Sequence, residues 1–189
     1  MLVSHDDPLV LVCADLQAEY LIPGRRHVIL DGDTAIMHCL QLLALWRSNL
    51  WPVMHLKRVA EAAWFDPSSR LTDWIAEAKP RPGEMTFEHA LPSAYSSSRF
   101  ADHMSSLRHV RCVMTGFSLD ETILATVVEG FHRSHRYRVL DDAVACWPPV
   151  TGEAAVYKQS VVSVIGNFAT VQSSAELIRT SGAVAFKAR

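Results

Sequence analysis

Residues 9–16 read LVLVCADL, an unbroken apolar stretch of strand length that stops at a carboxylate, Asp15. A strand with water on one face alternates apolar and polar side chains, so an unbroken run demands cover on both faces. That demand points to a parallel sheet held between layers of helix. The rest of the chain follows the same plan. Residues 33–48 place Ile36, Met37, Leu40, Leu43 and Ala44 at helical spacing, with Asp31 or Asp33 available as a cap. PVMHLKR (52–58), MTFEH (85–89), RCVMTGF (111–117) and RYRVLDDAVA (136–145) read as further strands. Phe100, Met104 and Leu107 share one face of a helix starting at Ser96 or Ser97. Leu119, Ile123, Val127 and Phe131 form the core face of another, opened by a capping box of Ser118 and Glu121. A helix near 153–166 and a strand near 169–173 finish the core. Strand and helix in alternation predict an α/β fold with a parallel sheet and helices on both faces.

Residues 59–84 break this rhythm. They are long, irregular and rich in Trp, Pro, Ser and charge, with room for a helical turn or two. A loop of that length shapes a site or an interface. No repeat, linker or low-complexity segment interrupts the 189 residues, which are expected to form a single domain, 1–189. The net charge of -2 gives no electrostatic reason to expect nucleic acid or an anionic membrane as partner. No apolar run approaches the length of a membrane span, and the start of the chain lacks the basic residues of a signal peptide. Cys13, Cys39, Cys112 and Cys146 are widely spaced and read as buried reduced thiols, which suits the cytoplasm.

In an open parallel sheet, ligands bind outside the carboxyl ends of the strands, where the strand order reverses. Three polar features fall at such ends: Asp15, His89 and the turn Ser118–Thr122. They are distant in sequence and are expected to converge on one crevice. Asp15 carries the most information, because a carboxylate inside an apolar run needs a partner. Its plainer role is to cap a loop by accepting backbone N–H bonds.

Four segments, in order, resemble the isochorismatase-like hydrolases, or cysteine hydrolase superfamily. LVLVCADLQAEYL resembles the opening strand ending in Asp-x-Gln, here Asp15 and Gln17. PRPGEMTFEHALPSAYSSSRF resembles the middle block, with Ser93, Ala94 and Tyr95 as its Ser-Ala-aromatic triplet. CVMTGFSLDETILATVVEGF resembles the elbow, with Gly116 and Asp120 in register, and VLDDAVA the next strand with Asp142 and Ala143. The resemblance implies a three-layer, Rossmann-like fold with six parallel strands, and a homodimer or larger homo-oligomer. It also implies a catalytic Asp, Lys and Cys acting on amides, nitriles or a vinyl ether. Carried over, the Asp is Asp15, the Lys position falls on His89, and the Cys position falls on Thr122. On the same basis Gln17, Tyr95, Gly116, Phe117, Ser118 and Leu119 are candidates for lining a substrate site, with no cofactor.

A thiolate forms near neutral pH beside a cation and a helix N-terminus, whereas threonine is a hindered alcohol. None of the four cysteines is placed to substitute. Three readings follow. Asp15 orients His89, which activates Thr122 or a water, as in an Asp-His-hydroxyl triad. Alternatively Asp15 acts alone as the acid in vinyl-ether cleavage, its pKa raised by an apolar site. The third reading, which the two substitutions favour, is a catalytically impaired relative that binds a small molecule or a partner.

His55, with Lys57 and Arg58, is a further candidate for meeting an anionic ligand, although strand-end basic clusters are ordinarily solvated. FHRSHRYR (131–138) falls at a helix C-terminus, where cations complement the dipole, and reads as surface. The nine histidines form no metal-binding spacing, so no metal site is expected. Of the five tryptophans, Trp64 and Trp74 lie in the irregular loop and are placed to line the cleft or a subunit contact.

Overall fold

Both faces of the first strand are covered, as its sequence demands. Leu9–Ala14 form β1; Val10, Val12 and Ala14 enter one apolar core, and Leu11 and Cys13 the other. The computed structural model describes residues 9–60, 64–107 and 110–185, with side chains to residue 180. After β1 come α1 (Gly32–Ser48), β2 (Val53–Arg58), β3 (Met85–His89), α2 (Ser98–Ser106) and β4 (Arg111–Gly116). Then follow α3 (Leu124–His132), β5 (Arg136–Val144), α4 (Ala154–Ile165), β6 (Thr170–Gln172) and α5 (Ser174–Ala185). The six strands are all parallel in the order β3-β2-β1-β4-β5-β6. Helices α2, α3 and α4 cover one face through Phe100, Met104, Val127, Val161 and Ile165. Helix α1, with Cys39, Leu42, Leu43 and Trp46, covers the other together with Leu177 of α5. Among the described residues no helix is long and apolar enough to cross a membrane.

The order reverses between β1 and β4, and this opens the crevice in which an α/β sheet binds its ligands. The two strands meet closely there. Gly116 has φ +105°, and a Cβ on it would lie 2.1 Å from the Ala14 carbonyl oxygen. Only glycine lets β4 end against β1 in this way, with the Phe117 amide donating to that same carbonyl at 2.8 Å.

The structure departs from the sequence expectations at several helix ends. The Ser118–Glu121 capping box does not form. A π-type turn over Leu119–Ile123 precedes α3 without a side-chain cap, because Glu121 is drawn instead towards Arg58. Phe131 lies off the core face of α3, 51% exposed, because the wide turn shifts the register that sets the helical stripe. Asp31 stands at the start of α1 in a left-handed conformation and makes no side-chain cap. Helix α5 has no counterpart in the sequence reading. It begins where Asp142 accepts hydrogen bonds from the Ser174 amide and hydroxyl, a long-range cap invisible to local pattern. Residues 64–84 are as irregular as expected, with 3-10 turns at Arg70–Thr72 and Ala76–Ala78. The four cysteines are free and buried.

Candidate active site

Asp15 is the first residue after β1, and its backbone turns sharply there, with φ +48°. Aspartate tolerates this left-handed conformation better than most residues. The turn aims the carboxylate across the crevice. Its Oδ1 lies 2.8 Å from His89 Nε2, at the end of β3, and its Oδ2 accepts a 2.8 Å hydrogen bond from the Thr122 hydroxyl. The Tyr20 hydroxyl approaches Oδ2 at 3.5 Å. Asp15 and Thr122 have no solvent exposure, and the His89 side chain none either. The expected convergence of residues 15, 89 and 122 is therefore observed. The order is not that of an Asp-His-hydroxyl triad. Asp15 stands in the middle, with His89 on one oxygen and Thr122 on the other.

The protonation of His89 follows from its partners. Nδ1 faces the Leu91 carbonyl at 2.8 Å, and a carbonyl oxygen only accepts, so Nδ1 carries a proton. Nε2 faces a carboxylate, which also accepts. Both nitrogens donate when the ring is an imidazolium paired with the Asp15 carboxylate. Burial alone pulls the His89 pKa down, but the charge and hydrogen bond of Asp15 and the Leu91 carbonyl outweigh it, leaving the pKa raised. The pairing thus favours a cation where the resemblance puts lysine.

The other candidates are distributed differently. Gln17 is buried and fully engaged: its Oε1 accepts from the Arg58 amide, and its Nε2 donates to the carbonyls of Arg58 and Thr72. It fixes the end of β2 rather than facing a ligand. His55 points to the opposite side of the sheet from the crevice, because alternate residues of β2 face opposite layers. There its Nε2 meets Glu84 Oε2 at 2.8 Å, and Arg47 binds the same carboxylate at 2.7 and 2.9 Å. Burial pushes Glu84 up, but hydrogen bonds from Arg47, the Arg81 amide and His55 overcome it and hold its pKa at about 2. The network is a structural tie between α1 and β2. Tyr95 is also drawn elsewhere, its hydroxyl lying 2.6 Å from His135 Nδ1 and 2.7 Å from the Tyr137 hydroxyl. Phe117 packs on Tyr20 at 5.7 Å between ring centroids, and Leu119 is core. Ser118 is buried at the elbow, its hydroxyl without a partner among the described residues. Asp120 ties the elbow to the segment after β5, accepting from the Trp147 amide and the Tyr157 hydroxyl.

Arg58, named in the sequence only beside His55 and Lys57 in a cluster expected to be solvated, and Glu121, named only as a cap, meet instead at the strand ends. Arg58 ends β2 with its side chain only 13% exposed, and its Nη2 lies 3.5 Å from Glu121 Oε1. A basic residue at a strand end looks solvated in sequence. Here Phe65 covers the guanidinium, its ring centroid 5.9 Å from Cζ. The cover comes from the irregular loop, which no local pattern could place. Among the described residues, no three His, Cys, Asp or Glu side chains are grouped to hold a metal ion.

The sequence matches a family model described as the isochorismatase domain over residues 9–176. No curated protein sequence matches it. Solved structures with the same fold include an isochorismatase from Pseudomonas putida KT2440, 24% identical over 89% of each chain with a TM-score of 0.82. A cysteine hydrolase from Pseudomonas syringae pv. phaseolicola 1448A is 16% identical over 90% of this chain and 91% of its own, with a TM-score of 0.79. N-carbamoylsarcosine amidase from Thermoplasma acidophilum is 19% identical over 88% of this chain and 96% of its own, with a TM-score of 0.68. Likeness at these identities is a likeness of fold.

Proposed function

The chain belongs to the isochorismatase family, and we propose that it uses the family's crevice to bind a small molecule without the family's covalent turnover. One observation carries this reading: the Thr122 hydroxyl donates its hydrogen bond to Asp15, while His89 is held on the other oxygen of the same carboxylate. For histidine to activate a hydroxyl, the hydroxyl must lie within hydrogen-bond reach of an unprotonated ring nitrogen. Both nitrogens of His89 are committed to acceptors. The base that Thr122 does reach is a carboxylate, far too weak to hold an alcohol's proton. The four cysteines offer no substitute. Burial raises each thiol, to about 12 for Cys39, Cys112 and Cys146 and well above the ordinary value for Cys13.

A second reading rests on the same meeting of Asp15, His89 and Thr122: a hydrolase of an amide, ester or vinyl ether in which Asp15 moves the proton and His89 balances its charge. The assay that separates the two compares the wild type with Asp15→Asn on an activated ester, a primary amide and a vinyl ether. Equal, background-level rates are expected. Turnover by the wild type that is lost in Asp15→Asn would establish the hydrolase instead.

A further inference from the structure

Arginines paired elsewhere in this protein set a standard that Arg58 does not meet. Arg25 grips Glu19 with two bonds of 2.8 and 3.0 Å, and Arg47 grips Glu84 with two of 2.7 and 2.9 Å. Arg58 has a single 3.5 Å contact with Glu121, and its Nε and Nη1 are buried without a partner among the described residues. The fault is shared by its neighbours. Glu121 Oε2, His27 Nδ1 and Trp147 Nε1 are likewise buried and unpartnered. These groups are contiguous: Arg58 lies over Phe65, Phe65 stands 5.1 Å from His27, and His27 stands 4.9 Å from Trp147. Each idle buried donor carries a desolvation cost that an arriving acceptor would remove. Their concentration around Arg58, with Arg58 and Trp147 offering idle N–H groups, calls for an occupant rich in acceptors.

We propose that Arg58 is the carboxylate-recognition residue of this crevice, and that Glu121 is an internal stand-in which the ligand displaces. The inference rests on the reading that the crevice binds a small molecule, and it specifies the class: a carboxylate on an apolar body. Guanidinium and carboxylate match as a two-bond fork, the geometry that Glu121 fails to reach. The apolar body would lie along Phe65, His27 and Trp147. Charge balance identifies the group that leaves. Asp15 with His89, and Glu121 with Arg58, are each neutral as pairs, so an incoming anion requires one carboxylate to yield. Asp15 has no exposure and both oxygens bonded. Glu121 is 22% exposed, has one idle oxygen, and is pushed by burial towards its protonated form against the pull of Arg58. It turns to solvent or takes a proton, and the ligand carboxylate takes its place.

The test titrates the intact chain with benzoate and with its neutral isostere benzamide, followed by tryptophan fluorescence and calorimetry. Benzoate is expected to bind about tenfold tighter or more, the ratio that a charge-assisted fork supplies. Arg58→Gln should erase that preference and Arg58→Lys should keep part of it. Glu121→Gln should tighten benzoate several-fold and leave benzamide unchanged, an outcome that a purely structural ion pair would not give. The proposal is overturned by equal affinities, by binding of neither compound, by a preference that survives Arg58→Gln, or by weaker benzoate binding in Glu121→Gln. Equal affinities would leave the binding reading standing. Benzamide hydrolysis that disappears in Asp15→Asn would remove the binding reading without touching the role of Arg58.

Discussion

Replacing Asp15 by alanine is expected to cost about 3–5 kcal/mol of stability, the price of stranding one member of a buried ion pair. In a chain of this size that is a fall in melting temperature of roughly 6–20 °C. Three effects add. The His89 imidazolium loses its counter-ion in a buried site, and the Thr122 hydroxyl loses the carboxylate it donates to. Alanine also fits the left-handed backbone at position 15 poorly, whereas asparagine tolerates it. Asp15→Asn should lose less, because it keeps the backbone fit and an acceptor for Thr122, and the loss that remains reports the charge. A pH dependence accompanies the pair. Because the folded pKa of His89 is raised, its contribution is complete below the unfolded value of about 6.5 and disappears as the pH climbs through the folded value. The wild type should lose stability over that interval and Asp15→Ala should lose none there. Thermal melts at a series of pH values read both effects, and an Asp15→Ala protein as stable as the wild type would show that the pair holds nothing together.

Thr122→Cys is expected to create a thiol nucleophile at the elbow. The backbone position, the Asp15 carboxylate and the His89 cation are all in place. A thiol gives up its proton at a pH where an alcohol does not, and thiolates beside cations at helix starts are the reactive ones. The variant should release one equivalent of p-nitrophenol from p-nitrophenyl acetate in a burst, at least about 10²-fold faster than the wild type, the lower end of what a positioned base contributes. The native thiols make little background, their pKa values being raised by burial. A burst of equal size and rate in the wild type would mean that the chain already owns a nucleophile.

The architecture was legible because its signals are local and periodic. Leu9–Ala14 and Arg111–Gly116 announce strands covered on both faces, and the strand-end positions of Asp15, His89 and Thr122 suffice to gather them at the switch point. What stayed hidden depends on contacts between distant parts of the chain. Glu121 matches a capping box, yet Arg58, 63 residues away, competes successfully for its carboxylate. His55 and Arg58 belong to one strand and look alike in sequence, but an odd separation along a pleated strand sends them to opposite layers. Tyr95 fits the family's triplet by position while its hydroxyl is claimed by His135 and Tyr137, 40 and 42 residues further on. The order of the three central residues was likewise unreadable. Their sequence positions say that they meet, and only the two oxygens of Asp15 say who stands between whom.

The proposed binding role of the crevice turns on the Asp15 carboxylate being committed to a protonated His89. Nitrogen-detected NMR of the His89 ring at neutral pH measures this directly. Both ring nitrogens should carry protons, and the pKa should fall below its ordinary value in Asp15→Asn, where burial acts without the counter-charge. A neutral His89 ring in the wild type at that pH, with one nitrogen free to take a proton from a hydroxyl or a water, would contradict it.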